Sequence, residues 1–176
     1  GNVAQPHARR DGRTTVVNAD GEISADLPSM AAGGIRCSLR DMTRWMQVLL
    51  DPALVPGWLG SEQRRTLWTL HMPMPLGERQ RRWDNAHFYG YGYGWRVSDM
   101  DGQWKVAHTG TLSGMYSSLA LLPDRRVGVV MLINGEGEDA RTALMQATLK
   151  RFTAPDDARP AMEYLAELKA DQAARA

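Results

Sequence analysis

The chain has 176 residues, of which 43% are hydrophobic and 23% charged, which is the composition of an ordinary globular protein with a sizeable core. Its formal net charge of +1 excludes the long-range field that attracts nucleic acid or anionic lipid, so no nucleic acid partner is expected. No apolar run approaches the roughly 20 residues of a membrane-spanning helix, so no membrane span is expected either.

Sequence features that report on the cellular compartment are weak. Residues 1–7 lack the apolar stretch of a signal peptide. The single cysteine, Cys37, cannot form an intramolecular disulfide, and we expect it to be a small core residue. The compartment is therefore left open by the residues themselves.

The first half of the chain is predicted to be short strand, helix and loop. Residues 13–17 are expected to form a strand before an Asp20-Gly21 turn. Ser38 precedes Asp41 by three residues, the pattern of a capping box, and the apolar residues that follow recur at helical spacing. This predicts a helix over Leu39–Leu50 that ends at Asp51-Pro52, with its Trp and Met residues facing the core.

A second helix is predicted from Ser61 to about Leu70, where Pro73 and Pro75 end it. Residues 77–85 are charged and aperiodic, so we expect an exposed connection. The glycines at 90, 92 and 94 alternate with aromatic residues. Their spacing differs from a phosphate-binding loop, and in a strand it predicts close approach of another backbone or a helix.

Four apolar or alternating runs then follow with short connections between them, which predicts an antiparallel meander. The runs are Tyr91–Ser98, Trp104–His108, Met115–Leu122 and Val127–Ile133. After Asn134, a helix is predicted with Ala140, Leu144, Ala147 and Phe152 on the face that packs on the sheet.

The tail, residues 155–176, begins with a break at Pro155-Asp156-Asp157. Residues 160–174 are predicted to form a helix whose apolar stripe consists of Met162, Leu165 and Leu168. This helix is expected either to dock on the rest of the protein or to fray.

Three stretches of the second half carry a resemblance to a known family: Tyr91–Val97, Val106–Gly114 and Leu121–Asn134. They resemble the last third of the class C β-lactamase and serine-esterase family, which includes D-Ala-D-Ala carboxypeptidase-like proteins. Residues 31–46 resemble the helix that precedes this part, so the resemblance covers about residues 28 to 152.

The resemblance implies an incomplete α/β fold of the α+β type. Residues 1–154 would be the C-terminal portion of a β-lactamase/transpeptidase-like domain, with a helical and loop region over 1–88 and the sheet and closing helix over 89–154. Residues 155–176 would be an additional helical tail. The resemblance also suggests an exported or periplasmic protein.

The family's catalytic elements are S-x-x-K, Y-x-N and K-T-G or H-T-G, and this sequence contains only the third, as His108-Thr109-Gly110. The resemblance implies that His108 is catalytic and that the backbone N–H of Thr111 belongs to the oxyanion hole. Thr109, Gly110 and Ser113 would bind substrate. The alternatives that stay open are a structural histidine and a plain hairpin turn over residues 109–114.

No metal site is expected, because His7, His71, His87 and His108 are scattered and lack a cysteine or carboxylate at ligand spacing. No cofactor is implied. The predicted function is the C-terminal part of a serine hydrolase that acts on a small acyl, ester, amide, peptide or β-lactam substrate.

Its expected partner is the missing N-terminal half of the domain, and self-association with further copies of the same chain stays open. The chain alone is expected to be inactive. Histidine in place of lysine favours an esterase or peptidase, since a fixed cation is the usual partner of a β-lactam carboxylate. The alternative is a non-catalytic module for ligand binding or oligomerisation.

Overall fold

The computed structural model describes residues 3–17, 30–112 and 114–175. The expected Asp20-Gly21 turn and Ser113 lie outside these residues. The strands are β1 (His7–Arg10), β2 (Arg13–Val16), β3 (Met72–Pro73), β4 (Tyr89–Tyr91), β5 (Arg96–Met100), β6 (Gln103–Leu112), β7 (Met115–Leu122) and β8 (Val127–Ile133). The helices are α1 (Met30–Gly33), α2 (Leu39–Leu50), α3 (Ser61–Trp68), α4 (Glu78–Asp84), α5 (Glu138–Thr153) and α6 (Ala161–Ala173).

Strands β3 to β8 form one antiparallel sheet in which each strand pairs with the next along the chain. The predicted meander with a helix packed behind it is therefore confirmed. The sheet has six strands rather than about four, partly because Tyr91–Ser98 is two strands and not one. The chain reverses between β4 and β5, where Gly94 adopts a φ of +74° and Gly92 N–H donates to the Trp95 carbonyl at 2.8 Å.

Strand β6 is longer than predicted and continues through His108-Thr109-Gly110 to Leu112. Its continuation is stabilised by β7, which pairs with it from Val106↔Leu121 to Leu112↔Met115. The expectation that His108 ends the strand is therefore wrong. The alternative prediction of a plain hairpin turn beginning at Thr109 is wrong for the same reason.

One face of the sheet is covered by α2 and α3. The predicted α2 and its capping box are confirmed, because Ser38 N–H donates to Asp41 Oδ2 at 2.9 Å and Asp41 N–H donates to Ser38 Oγ at 3.2 Å. Leu49 is buried in the core beneath it, whereas Trp45 is 40% exposed, contrary to the expected orientation. The buried core on this face consists of Met46, Leu49, Trp68, Trp95, Val106, Leu119 and Leu121.

The stretch before α2 is exposed, and Cys37 lies in it. Our expectation of a core cysteine is therefore wrong. The chain at residues 31–38 approaches the helix over the surface, so a small apolar side chain there has no core to enter.

The opposite face is covered by α5, where Ala147 is buried as predicted but the other three residues of the predicted face, Ala140, Leu144 and Phe152, are exposed. Leu144 and Phe152 are 46% and 42% exposed, whereas Arg141 and Lys150 are buried. These two cations are tolerated because the sheet supplies acceptors for them. Lys150 Nζ lies 2.7 and 2.8 Å from the two carboxylate oxygens of Asp101, in the β5–β6 turn.

The tail helix α6 docks on α5, which is one of its two expected states. Tyr164 and Leu168 are buried against α5 and Trp83, while Met162, predicted to belong to the apolar stripe, is 71% exposed. Trp83 Nε1 donates to Glu167 at 2.6 Å, and Arg159 forms an ion pair with the same carboxylate. Since Trp83 belongs to α4, the expected exposed connection over residues 77–85 is instead a packed helix.

The alternating glycines do allow a close backbone approach. A Cβ at Gly90 would collide with the Met72 carbonyl oxygen, and one at Gly92 with the Leu67 carbonyl oxygen. The segment that leads from α3 into β3 therefore lies directly against the Tyr/Gly stretch, as the spacing predicted.

The two ends of the sheet differ. Strand β8, with the sequence Val-Gly-Val-Val-Met-Leu-Ile, is the last strand of the sheet in the described part of the chain. The β1–β2 hairpin lies near the β6–β7 turn, where His7 N–H donates to the Gly114 carbonyl at 3.1 Å. Helices long and apolar enough to span a bilayer are absent from residues 3–17, 30–112 and 114–175.

Candidate functional site

The candidate site lies where β6 extends beyond its neighbour. Strand β5 pairs with β6 only as far as Arg96↔Ala107, whereas β7 pairs with β6 up to Leu112. In the described chain, residues 108–112 therefore have a strand partner on one side only. The other edge presents backbone groups to which an extended ligand can hydrogen-bond.

His108 is the first residue of this free edge. Its Nε2 lies 2.8 Å from the Tyr91 hydroxyl, and the two rings meet edge to face with centroids 5.9 Å apart. Burial lowers the pKa of His108 below its ordinary value of 6.5, the positive charge of Arg96 lowers it further, and a hydrogen bond with the Thr109 backbone opposes both. At neutral pH the imidazole is therefore a neutral hydrogen-bonding group.

Arg96 provides a fixed positive charge beside the His-Thr-Gly segment. Its Nη1 donates to Thr109 Oγ1 at 2.9 Å, and its guanidinium lies 5.9 Å from the centre of the Tyr91 ring. Its Nε is buried without a hydrogen-bond partner. No carboxylate of the described residues forms an ion pair with it.

Gly110 and Thr111 are held from the α5 side of the sheet. Arg141 Nη1 donates to the Gly110 carbonyl at 2.8 Å, to Thr111 Oγ1 at 3.2 Å and to the Ser117 carbonyl at 3.2 Å. A Cβ on Gly110 would collide with Ser117 Oγ, so the glycine makes room for this hydroxyl as well as for any ligand. The backbone around the proposed oxyanion donor is thus fixed by a buried guanidinium.

The structure places His108, Thr109, Gly110 and Thr111 consecutively on one strand, whereas Ser113 lies outside the described residues. Three further residues next to this segment were missed by the sequence reasoning: Tyr91, Arg96 and Arg141. Only Tyr91 carried a local signal, as part of the Tyr/Gly alternation. The two arginines are 13 and 31 residues from their partners Thr109 and Gly110, too far for periodicity to pair them.

An activated nucleophile is not evident in the described part of the chain. The side-chain partner of His108 there is Tyr91, and no serine hydroxyl is hydrogen-bonded to the imidazole. No three His, Cys, Asp or Glu side chains of the described residues are arranged to hold a metal ion. The described residues of the site therefore offer hydrogen-bonding groups and a positive charge, without an activated nucleophile among them.

The described chain combines helices on both faces of an antiparallel meander with a His-Thr-Gly segment on a strand that has a free edge. Comparison with known proteins identifies the class. The family model described as Beta-lactamase matches residues 2–168, and the chain therefore belongs to the Beta-lactamase family. The resemblance seen in the sequence is confirmed.

Among solved structures, the chain is similar to the octameric penicillin-binding protein homologue from Pyrococcus abyssi, with a TM-score of 0.69 and 19% sequence identity. The match covers 90% of this chain and 33% of that protein, so the chain spans about one third of its length. At this identity the likeness establishes the fold alone. No curated protein matches the chain.

Proposed function

We propose that this chain forms the His-Thr-Gly side of a serine hydrolase site, in which an acyl group is transferred to a serine and then hydrolysed. The observation that carries the proposal is the free edge of β6 at residues 108–112, with His108 at its start. Membership in the Beta-lactamase family supports the same reaction class. The serine and its base would come from a part of the domain that this chain does not contain.

Each residue of the segment has a proposed role. His108 hydrogen-bonds a polar group of the substrate or leaving group, and Thr109 contributes its hydroxyl. Gly110 allows the substrate to lie against the strand, and the Thr111 N–H donates to the oxyanion. Ser113, which lies outside the described residues, is proposed to contact the substrate.

The substrate is proposed to carry a carboxylate. The sequence favoured an esterase or peptidase because histidine replaces a fixed cation, yet Arg96 supplies such a cation on the adjacent strand, bonded to Thr109. A partly buried guanidinium without a carboxylate partner is costly unless an anion is bound. A peptide C-terminus or a β-lactam carboxylate would provide that anion.

The test requires the complete reading frame that contains this chain. We expect the complete protein to hydrolyse a nitrophenyl ester or nitrocefin and to be labelled by a fluorophosphonate at a serine followed three residues later by lysine. His108→Ala should reduce turnover roughly 10²–10³-fold, the usual effect of losing an aligned polar group. His87→Gln, at a side chain 72% exposed and outside the site, is the control, because glutamine can still donate a hydrogen bond to Asp99. A complete frame without S-x-x-K would refute the proposal.

A second proposal is self-association, and the observation that favours it is the sheet edge at β8. This strand of seven residues carries no charge and no proline, the features by which proteins usually protect an edge from pairing. The similar protein from Pyrococcus abyssi is octameric. We propose that β8 pairs either with another segment of the same domain or with a second copy.

A further inference from the structure

Tyr91 reaches His108 from a strand that is not adjacent to it. Strand β5 lies between β4 and β6, and it starts only at Arg96, so the Tyr91 side chain passes the beginning of β5 to place its hydroxyl 2.8 Å from Nε2. The edge-to-face ring contact adds a second, independent restraint on the imidazole plane.

We propose that Tyr91 is the positioning residue of His108: its hydroxyl donates a hydrogen bond to Nε2, which fixes the ring orientation and leaves the imidazole proton on Nδ1. The effect of this hydrogen bond on turnover rests on the proposed function. The existence of the hydrogen bond does not depend on that function. Nothing else in the described chain is bonded to Nε2 of this ring.

The direction of the bond follows from the inventory of donors. A neutral imidazole has one donor nitrogen and one acceptor nitrogen. A phenol O–H is a stronger donor than an imidazole N–H, and an unprotonated imidazole nitrogen is a stronger acceptor than a phenol oxygen. Since Nε2 lies 2.8 Å from the phenol oxygen, we assign Nε2 as the acceptor and Tyr91 as the donor, which places the imidazole proton on Nδ1.

The electrostatic surroundings support the same assignment. Among the residues that the structure describes, the titratable and charged groups that face the ring are Tyr91 from β4 and Arg96 from β5. The guanidinium of Arg96 disfavours a second positive charge next to it and lies over the Tyr91 ring at 5.9 Å. The charge of Arg96 therefore favours the neutral imidazole, which can accept a hydrogen bond at Nε2.

The consequence for the site is that a substrate meets a fixed Tyr91–His108 pair rather than a freely rotating imidazole. Protonation of the ring would make Nε2 a donor and reverse the bond, with Tyr91 then accepting. The pair would thus keep its geometry in both protonation states while exchanging the donor and the acceptor.

The test measures imidazole nitrogen chemical shifts by NMR on the isotope-labelled chain, across a pH titration. His108→Gln assigns the His108 signals by their loss. We expect the unaltered chain to show one dominant tautomer with the proton on Nδ1. In Tyr91→Phe the His108 nitrogen shifts should move towards the average of the two tautomers, and the midpoint of its titration should change.

Tyr93→Phe is the matched control, because the Tyr93 ring contacts His71 at a centroid distance of 4.4 Å and not His108. It should leave the His108 signals unchanged. Unchanged His108 shifts in Tyr91→Phe would overturn the proposal. So would a dominant tautomer with the proton on Nε2 in the unaltered chain, a measurement that stands even where the variant fails to fold.

In the complete enzyme, Tyr91→Phe should lower kcat and shift the acidic limb of its pH profile, with KM nearly unchanged. A change in KM alone would contradict a positioning role. If the complete protein has no hydrolase activity, the proposed function fails while the NMR experiment still decides the Tyr91–His108 bond.

Discussion

The Nη1 atom of Arg141 lies 2.8 Å from the carbonyl oxygen of Gly110, so a guanidinium of α5 is bonded to the backbone of the strand that carries His108. Arg141 is only 5% exposed. The same nitrogen also reaches the Ser117 carbonyl of the paired strand. Helix and sheet are therefore joined at the candidate site by polar contacts as well as by apolar packing.

Replacing this guanidinium should destabilise the fold. Arg141→Met leaves the partly buried Gly110 and Ser117 carbonyls without their side-chain donor, and an unpaired polar group costs at most roughly 1–3 kcal/mol when it is fully buried. Chemical denaturation followed by tryptophan fluorescence gives the free energy of unfolding. Arg151→Met, on the exposed side of the same helix, should be nearly neutral. Equal effects of the two substitutions would contradict the role assigned to Arg141.

A side chain at Gly92 should be poorly tolerated. Gly92→Ala places a methyl group against the Leu67 carbonyl oxygen, a backbone atom that cannot rotate away. Overpacking of this kind costs about 1–3 kcal/mol. Gly135→Ala is the control, since a Cβ there meets no atom within 4 Å. Thermal unfolding should show a lower Tm for the first variant alone, and an unchanged Tm would mean that α3 does not lie so close to β4.

Asp99 should make stability depend on pH in the acidic range. Burial raises the pKa of Asp99, but hydrogen bonds from the His87 side chain and from the backbone of His87 and Phe88 outweigh it, and the pKa lies below the ordinary value of 3.8. A carboxyl group with a lowered folded-state pKa stabilises the fold above its unfolded-state pKa, and that contribution disappears as the pH falls through the folded-state value.

The measurement for Asp99 is the free energy of unfolding from neutral pH down to acid, for the unaltered chain and for Asp99→Asn. Their difference should be largest above about pH 4 and should shrink below it. Asp124→Asn, at an exposed turn position, serves for comparison. A difference that stays constant over this range would show that the charge of Asp99 contributes nothing.

The β8 edge should drive association of the isolated chain. Leu132 is 43% exposed on this strand, and Leu132→Lys adds the kind of charge that protects natural edges. Light scattering over a range of concentrations should show a smaller mean mass for this variant. Leu144→Lys changes a residue of similar exposure, 46%, on α5 and should leave association unchanged. A monomeric unaltered chain would refute the prediction.

The chain alone is expected to lack hydrolase activity. It contains no serine followed three residues later by lysine and no tyrosine followed two residues later by asparagine. It should therefore neither hydrolyse nitrocefin or nitrophenyl esters nor react with a fluorophosphonate. Stoichiometric labelling of any serine, Ser113 included, would contradict the proposal that the nucleophile comes from outside this chain.

Sequence patterns predicted the elements that are determined by residues close together in the chain. The capping box at Ser38 and the turn residues between strands act over a few positions, and α2 and the meander were both predicted from them. Tyr91–Ser98 was wrongly predicted to be one strand. A single strand and a hairpin with a glycine turn can show the same alternation of apolar residues. The reversal is fixed by Gly94 at positive φ, which alternation does not report.

Of the candidate site, only the residues that are contiguous on β6 could be predicted from the sequence. His108-Thr109-Gly110 is a contiguous motif, whereas Arg141 comes from a helix whose apolar periodicity indicated the wrong face. That error has a physical cause: buried Arg141 and Lys150 have partners in the sheet, and those partners are tertiary contacts. Sequence spacing counts apolar residues, so it assigns any buried cation to the exposed side.

Lys150 and Arg141 together have a mechanical consequence. They lie nine residues apart on α5, where each residue advances about 1.5 Å along the helix axis. The helix is therefore attached to the sheet at two points roughly 14 Å apart. Lys150 is bonded to Asp101 in the turn before β6, and Arg141 is bonded to Gly110 near the other end of that strand. Because α5 is bonded near both ends of β6, we expect the strand and the helix to move together, so that a displacement of α5 would also shift His108.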